Sequence, residues 1–278
     1  MKQILFPTAY STAAKAAFRY TQKLALYFEA SITLVHVYES PSLSLTSNSL
    51  VVKDLEAFAD NQWEQEMKRL KTFATEMSAK QFHTLPLDFI VTDGNVVDEL
   101  IQIQAKNHFD LVIMGMRRHP NTDRLLGKSA TKLIDQLNCA LLLVPPNTHY
   151  LALDKIVYGT ALKMGDQAVI DCLLDWCKAF EATLHVLHIA KAAQIQEATQ
   201  KLEAVLQNYA AEVEAGIITK QVVAGKIKAV LAEYIEFTGA NILALHKRKQ
   251  GFWQRILEGS LTKTLVEEIQ VPLLVLKS

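Results

Sequence analysis

Cysteine is scarce in this chain. Its 278 residues include three, Cys139, Cys172 and Cys177, with no CxxC among them. That excludes a disulfide framework, and the apolar helix or strand context of each predicts a buried free thiol, as suits a reducing cytoplasm. Excess charge of either sign is also absent. With 29 basic and 29 acidic residues and a pI of about 7.1, there is no global field to draw nucleic acid, so any anion preference must come from local clusters. No apolar run approaches the ~18 residues of a membrane span, and the opening MKQILFPTAYS is too short in its apolar part for a signal segment. The chain therefore reads as soluble and cytoplasmic, with neither nucleic acid nor membrane as partner. Gly-x-Ser-x-Gly and His-Glu-x-x-His are missing, which leaves no marked nucleophile or hydrolytic metal centre. Gly127-Lys128-Ser129 looks like the end of a Walker A loop, but Thr122 stands where that loop needs a glycine. With no general base identifiable, efficient catalysis is not expected and no catalytic or metal-ligating residue is assigned.

What is present is a repeat. Residues 109–145, FDLVIMGMRRHPNTDRLLGKSATKLIDQLNCALLLVP, carry an apolar run, a basic loop, a helix and a second apolar run. Residues 241–277, NILALHKRKQGFWQRILEGSLTKTLVEEIQVPLLVLK, follow the same plan. Ile4 matches Ile156 and His36 matches His188 at an offset of 152; Gly94 matches Gly225 and Gly115 matches His246 at 131; Gly127 matches Gly259 at 132. The first copy thus carries about 21 extra residues, placed in the Ser-rich stretch 40–49 and the long polar helix after it. Two domains follow, 1–147 and 151–278, joined at Pro145-Pro146-Asn147.

In the first copy, Lys2–Phe6, Ile32–Val37, Leu87–Val91, Leu111–Met114 and Ala140–Val144 read as strands. Helical periodicity runs over Thr12–Phe28 behind a Ser11 cap, Val51–Ala79, Val96–Lys106 and Ser129–Leu137. Each copy is βαβαβαβαβ, an α/β doubly wound domain with a five-stranded, mainly parallel sheet. Ligands of such sheets bind beyond the carboxyl ends of the strands, which points to the loops after Phe6 and Met114.

ILFPTAYS, LVHVYE, VIMGMRR with LLGKSATKLI, and LLLVP in the first copy, with VYGTALK, LHIAK, ILEGSLTK and PLLVL in the second, resemble the universal stress protein family in its tandem form. The resemblance covers nearly the whole chain and implies a Rossmann-like fold. Many members of that family bind ATP or AMP through G-x2-G-x9-G-[ST] and an Asp in the first loop. Glycines there let backbone N–H groups reach phosphates at a helix N-terminus. This chain departs from the pattern. Gly115 is kept, but Arg118 replaces the second glycine, the spacer is one residue short, and Gly127 is followed by Lys128, with Ser129 one place late. The second copy has His246 and Lys249 for the leading glycines and retains Gly259 and Ser260; Ala9 and Ala161 stand in place of the Asp.

Two readings of the losses stand. In one, neither copy holds nucleotide, the remaining glycines cap helices, and the chain is a non-catalytic stress-response protein that works by binding or through protein partners. In the other, Arg117, Arg118, Arg124 and Lys128 of the first copy, or Lys247, Arg248, Lys249 and Arg255 of the second, replace backbone donors around the phosphates of ATP or AMP. The first copy is the better candidate for such a signalling module, with slow hydrolysis as an option. The copies are expected to pair as an internal pseudo-dimer through their last strands, with a further homodimer open, and the Ser-rich insertion is a segment that could order on a partner. His36 and His188 read as satisfied strand histidines in preference to metal ligands, and Trp63 and Trp253 as residues packed against a neighbouring helix in preference to aromatics that stack a base or touch a partner.

Overall fold

A computed structural model describes residues 2–39, 49–79, 82–116, 128–146, 148, 152–247 and 271–277. The first copy runs β1 (Gln3–Pro7), α1 (Thr12–Phe28), β2 (Ser31–Tyr38), α2 (Ser49–Met77), β3 (Leu87–Asp93), α3 (Val96–Lys106), β4 (Leu111–Gly115), α4 (Lys128–Gln136) and β5 (Ala140–Val144). The second runs β6 (Lys155–Thr160), α5 (Asp166–Phe180), β7 (Thr183–Ala190), α6 (Ile195–Leu206), α7 (Ala210–Glu214), β8 (Ile218–Ala224), α8 (Ile227–Thr238), β9 (Ile242–Lys247) and β10 (Leu273–Lys277). The expected strands and helices of the first copy form, with ends shifted by a residue or two, whereas the last helix expected of the second copy lies outside the described residues. Ser11 caps α1 as expected, its hydroxyl accepting from Ala14 N.

All ten strands join one sheet in the order β3-β2-β1-β4-β5-β10-β9-β6-β7-β8. Every pairing is parallel except the central one, where β5 and β10 run antiparallel with Leu273 opposite Leu143. The last strands of the two copies therefore join them, as expected. Because that pairing inverts the second copy, the carboxyl ends of its strands, and with them its crevice, lie at the opposite edge of the sheet from those of the first. The near-continuous apolar strands are buried on both faces, as parallel sheets require.

The copies also meet through helices. At the ends of α1 and α5, Phe28 packs on Trp176 with ring centroids 5.3 Å apart and on Phe180 at 5.5 Å, while Tyr27 lies 4.5 Å from Phe180. Trp176 is 2% exposed, with Phe28 and Phe180 half-buried against it and Tyr27 exposed at the rim, so the cluster's inner rings join the cores of the two copies. Cys139 and Cys177 are buried free thiols, but Cys172 is exposed. The buried stripe of α5 runs through Val169, Ile170, Leu173, Trp176 and Cys177, and position 172 falls outside it.

Candidate functional site

Both crevices open at the turn after the first strand of each copy, and the two turns share one build. Tyr10 (φ 58°) and Leu162 (φ 50°) occupy the left-handed region at matched positions, and each donates its backbone N–H to a threonine hydroxyl two residues earlier, Thr8 at 3.1 Å and Thr160 at 2.9 Å. Each turn is also held by the matched histidine of the second strand. His36 Nδ1 lies 2.8 Å from Thr8 O, and His188 Nδ1 lies 2.9 Å from Thr160 O. A carbonyl can only accept, so both rings carry a proton on Nδ1. The expectation of satisfied strand histidines holds for both. His185, facing the other way, pairs with Tyr234 Oη at 3.1 Å.

Beyond this shared frame the crevices diverge. In the first, the Tyr10 ring bridges from the turn to α2. It packs 4.6 Å from the His36 ring and 5.6 Å from Phe73, with the Arg69 guanidinium 4.3 Å above its face. Glu66 on α2 meets His36 Nε2 at 3.3 Å and Arg69 at 3.7 Å. Burial and the Glu66 carboxylate push the Tyr10 phenol far above the usual tyrosine range against the opposing pull of Arg69, so the ring stays neutral. Trp63 donates its indole N–H to Val91 O at 3.2 Å, which makes it a packing residue of α2 on β3 although 43% of it is exposed.

In the second crevice, the corresponding turn is underlaid by a buried carboxylate. Asp166, the first residue of α5, accepts from Tyr158 Oη at 2.6 Å, Thr160 Oγ1 at 2.7 Å and Lys163 N at 2.9 Å, and His246 Nδ1 lies 3.8 Å away. Burial by itself would raise this carboxyl. The hydrogen bonds from His246, Tyr158, Thr160 and the Lys163 amide outweigh burial and hold it at about 2. The helix N-terminus adds its own favourable field. An open groove of about 400 Å³ lies beside the turn, between Leu162–Gln167 and Lys201, Ala204 and Val205 of α6.

Of the residues singled out in the sequence, Gly115 ends β4, at the carboxyl edge of the sheet. Its missing Cβ is taken up by packing, because an added one would lie 2.4 Å from the backbone carbonyl group of Ala13 in α1. Lys128 and Ser129 form the first turn of α4. Arg117, Arg118, Arg124 and Gly127 lie outside the described residues, as do Arg248, Lys249, Trp253, Arg255, Gly259 and Ser260 and most of the Ser-rich insertion. Lys247 is not in a crevice. Its ammonium crosses to the first copy, donating to Ile134 O at 2.8 Å and to the Asp135 carboxylate at the C-terminal end of α4. Lys277 likewise donates to Leu137 O. Sequence reasoning missed Tyr10, Glu66, Arg69 and Asp166. A signal existed only for Asp166, an acidic residue one turn after the first strand where the other copy has Ala14. No group of three or more His, Cys, Asp or Glu among the described residues could hold a metal ion, and no helix among them is long and apolar enough to cross a membrane.

Comparison with known proteins agrees with this architecture. The universal stress protein family model matches twice, over residues 1–145 and 153–277. The universal stress protein MJ0531 of Methanocaldococcus jannaschii is 26% identical over 147 residues, covering 51% of this chain and 81% of that protein. Among solved structures, a universal stress protein from Archaeoglobus fulgidus aligns over 99% of this chain and 96% of its own, with a TM-score of 0.65 at 14% identity. A Pseudomonas aeruginosa protein of unknown function aligns over 100% and 92%, with a TM-score of 0.64 at 14% identity. At such identities the structural likeness speaks for the fold, and the two family matches, which span nearly the whole chain, decide membership: this protein belongs to the universal stress protein family, with two copies of the family's domain in one chain.

Proposed function

We propose that the protein is a non-catalytic stress-response protein of the cytoplasm that acts by binding or through protein partners, and that neither copy retains the nucleotide site, the second least of all. The observation that carries this reading is Asp166. A carboxylate already ionised and fully engaged beneath the second crevice repels a phosphate, and the polar groups of Tyr158, Thr160 and His246 are turned inward to hold it. The loss of the adenine-holding Asp at both Ala9 and Ala161 supports it, as does the use of Gly115 for packing.

A second reading, an ATP- or AMP-binding signalling module in the first copy alone, is favoured by α4. That helix opens on Lys128 and Ser129 directly after a stretch holding Arg117, Arg118 and Arg124, so its N-terminus and four cations sit in one continuous segment. Calorimetry of the full-length protein with ATP and AMP separates the readings. No binding at millimolar nucleotide is the expected result. One site per molecule, lost in Arg118→Ala and Lys128→Ala, moves the assignment to the second reading. Two sites per molecule overturn both.

A further inference from the structure

The last two strands of the second copy end side by side against the first copy. β9 and β10 are parallel with Lys277 in register with Lys247, so two ammonium groups leave neighbouring strand ends together. Both run to the C-terminal end of α4. Lys247 donates to Ile134 O at 2.8 Å and to the Asp135 carboxylate, and Lys277 donates to Leu137 O. On its other side β10 is antiparallel to β5, with Val275 opposite Leu141, and two residues further along that register Lys277 comes level with Cys139. Burial pushes the Cys139 thiol up to about 11, which keeps it protonated near neutral pH.

Two ammonium groups here share one carboxylate. Like charges in register on neighbouring strands repel, and the repulsion is strongest where burial keeps water from screening it. Lys247 has Asp135 as its ion-pair partner. Among the described residues Lys277 has no such partner, and it is half-buried, so it is the amine that gives up its proton more readily. Burial, then the Lys247 charge, lowers it to about 8, against the opposing pulls of Cys139 and Asp135. A desolvated lysine beside another cation is an amine activated as a nucleophile. Lys132, Lys201 and Lys220 are built otherwise, each exposed and paired with a carboxylate. The half-exposed amine admits a small reagent, and the positive charge of Lys247 beside it favours one whose leaving group is an anion.

We propose that Lys277 is an acylation site, which takes a small acyl group from an acyl phosphate at the seam where the second copy grips α4. Once its ammonium has released a proton to solvent, the Nζ lone pair attacks the carbonyl carbon. An N–C bond forms, the C–O bond to phosphate breaks with its electron pair, and a second amine proton leaves with inorganic phosphate. The step is stoichiometric, uses neither crevice, and replaces an ammonium at the α4 carbonyls with an uncharged amide. Full-length protein incubated with acetyl phosphate near neutral pH, with acetylation of each lysine followed by peptide mass spectrometry, tests it. Lys277 should react at least about tenfold faster than the exposed Lys132, Lys201 and Lys220. Lys247→Met should slow Lys277 about threefold or more, because the charge that helps expel its proton is gone, whereas Asp135→Asn should speed it. Mere loosening of the seam would speed both variants. A Lys277 no faster than the exposed lysines, a rate that does not move in these opposite directions, or an acetyl group on Cys139 that hydroxylamine releases overturns the proposal. Should either variant fail to fold, the wild-type pH profile decides: a half-maximal rate near pH 8 supports the site, and a rate still climbing towards 10.5 sinks it.

Discussion

The two copies solve one packing problem in opposite ways. Where the fourth strand ends against the start of the first helix, there is room for one side chain. The first copy leaves that room to the helix: Gly115 ends β4, and the backbone of Ala13 comes so close that a Cβ on Gly115 would sit 2.4 Å from it. The second copy gives the room to the strand. His246 is the penultimate residue of β9, and the residue matched to Ala13 is Gly165, held at φ 89° with the His246 ring 3.2 Å from where its Cβ would be. Gly165 starts α5 without a side-chain cap, and Asp166, matched to Ala14, ties down the histidine. A glycine lost from a phosphate-loop pattern is therefore not a vacancy. Its space has passed to a side chain, and the facing element has changed to suit.

The largest effect expected from breaking this comparison is Gly115→Ala. The added methyl meets backbone, which cannot swing aside, so the variant should lose about 3 kcal/mol or more in urea denaturation. Transplanting the other solution, Gly115→His with Ala13→Gly and Ala14→Asp, should recover part of that loss. Equal damage from both variants would break the equivalence of the two junctions.

Next is Asp166. Its folded pKa of about 2 lies below the ordinary aspartate value of 3.8, so its contribution is present above about pH 4 and is lost as pH falls through about 2. That difference corresponds to about 2 kcal/mol. Acid titration of thermal stability should show the step in the wild type and not in Asp166→Asn, which should also be less stable at neutral pH. The first copy, with Ala14 there, supplies no such step.

The smallest effect belongs to the seam. Lys247→Met removes an ammonium from the α4 carbonyls and should cost about 1 kcal/mol. Burial, then the Lys247 charge, lowers Lys277 from 10.5 to about 8. A lysine with a depressed folded pKa carries its penalty below that value and is relieved as pH rises, so wild-type stability should gain between about pH 8 and 10.5. Scanning melting temperature against pH should show a smaller gain in Lys247→Met, because that variant no longer repels the Lys277 charge.

The two-copy organisation, the alternation of buried strands with amphipathic helices, the Ser11 cap and the equivalence of His36 with His188 were all legible in the amino-acid sequence. Each is a short-range pattern, or a comparison of one stretch of sequence with its repeat, and backbone periodicity and hydrogen-bond chemistry act at that range. The join through β5 and β10 followed as well, since the last apolar strand of each copy needs a neighbour on its open edge, but its antiparallel sense did not. The crevices did not follow. Whether Lys247 serves a ligand or the end of α4, 113 residues away, depends on the antiparallel join that brings the second copy's carboxyl edge to the first copy's opposite end. That Gly115 is spent on Ala13, and that Asp166 is consumed by Tyr158, Thr160 and His246, depends on close approaches between residues the fold brings together. Residue type sets the bonds that are open to a side group, but only the folded protein decides which partner reaches it first.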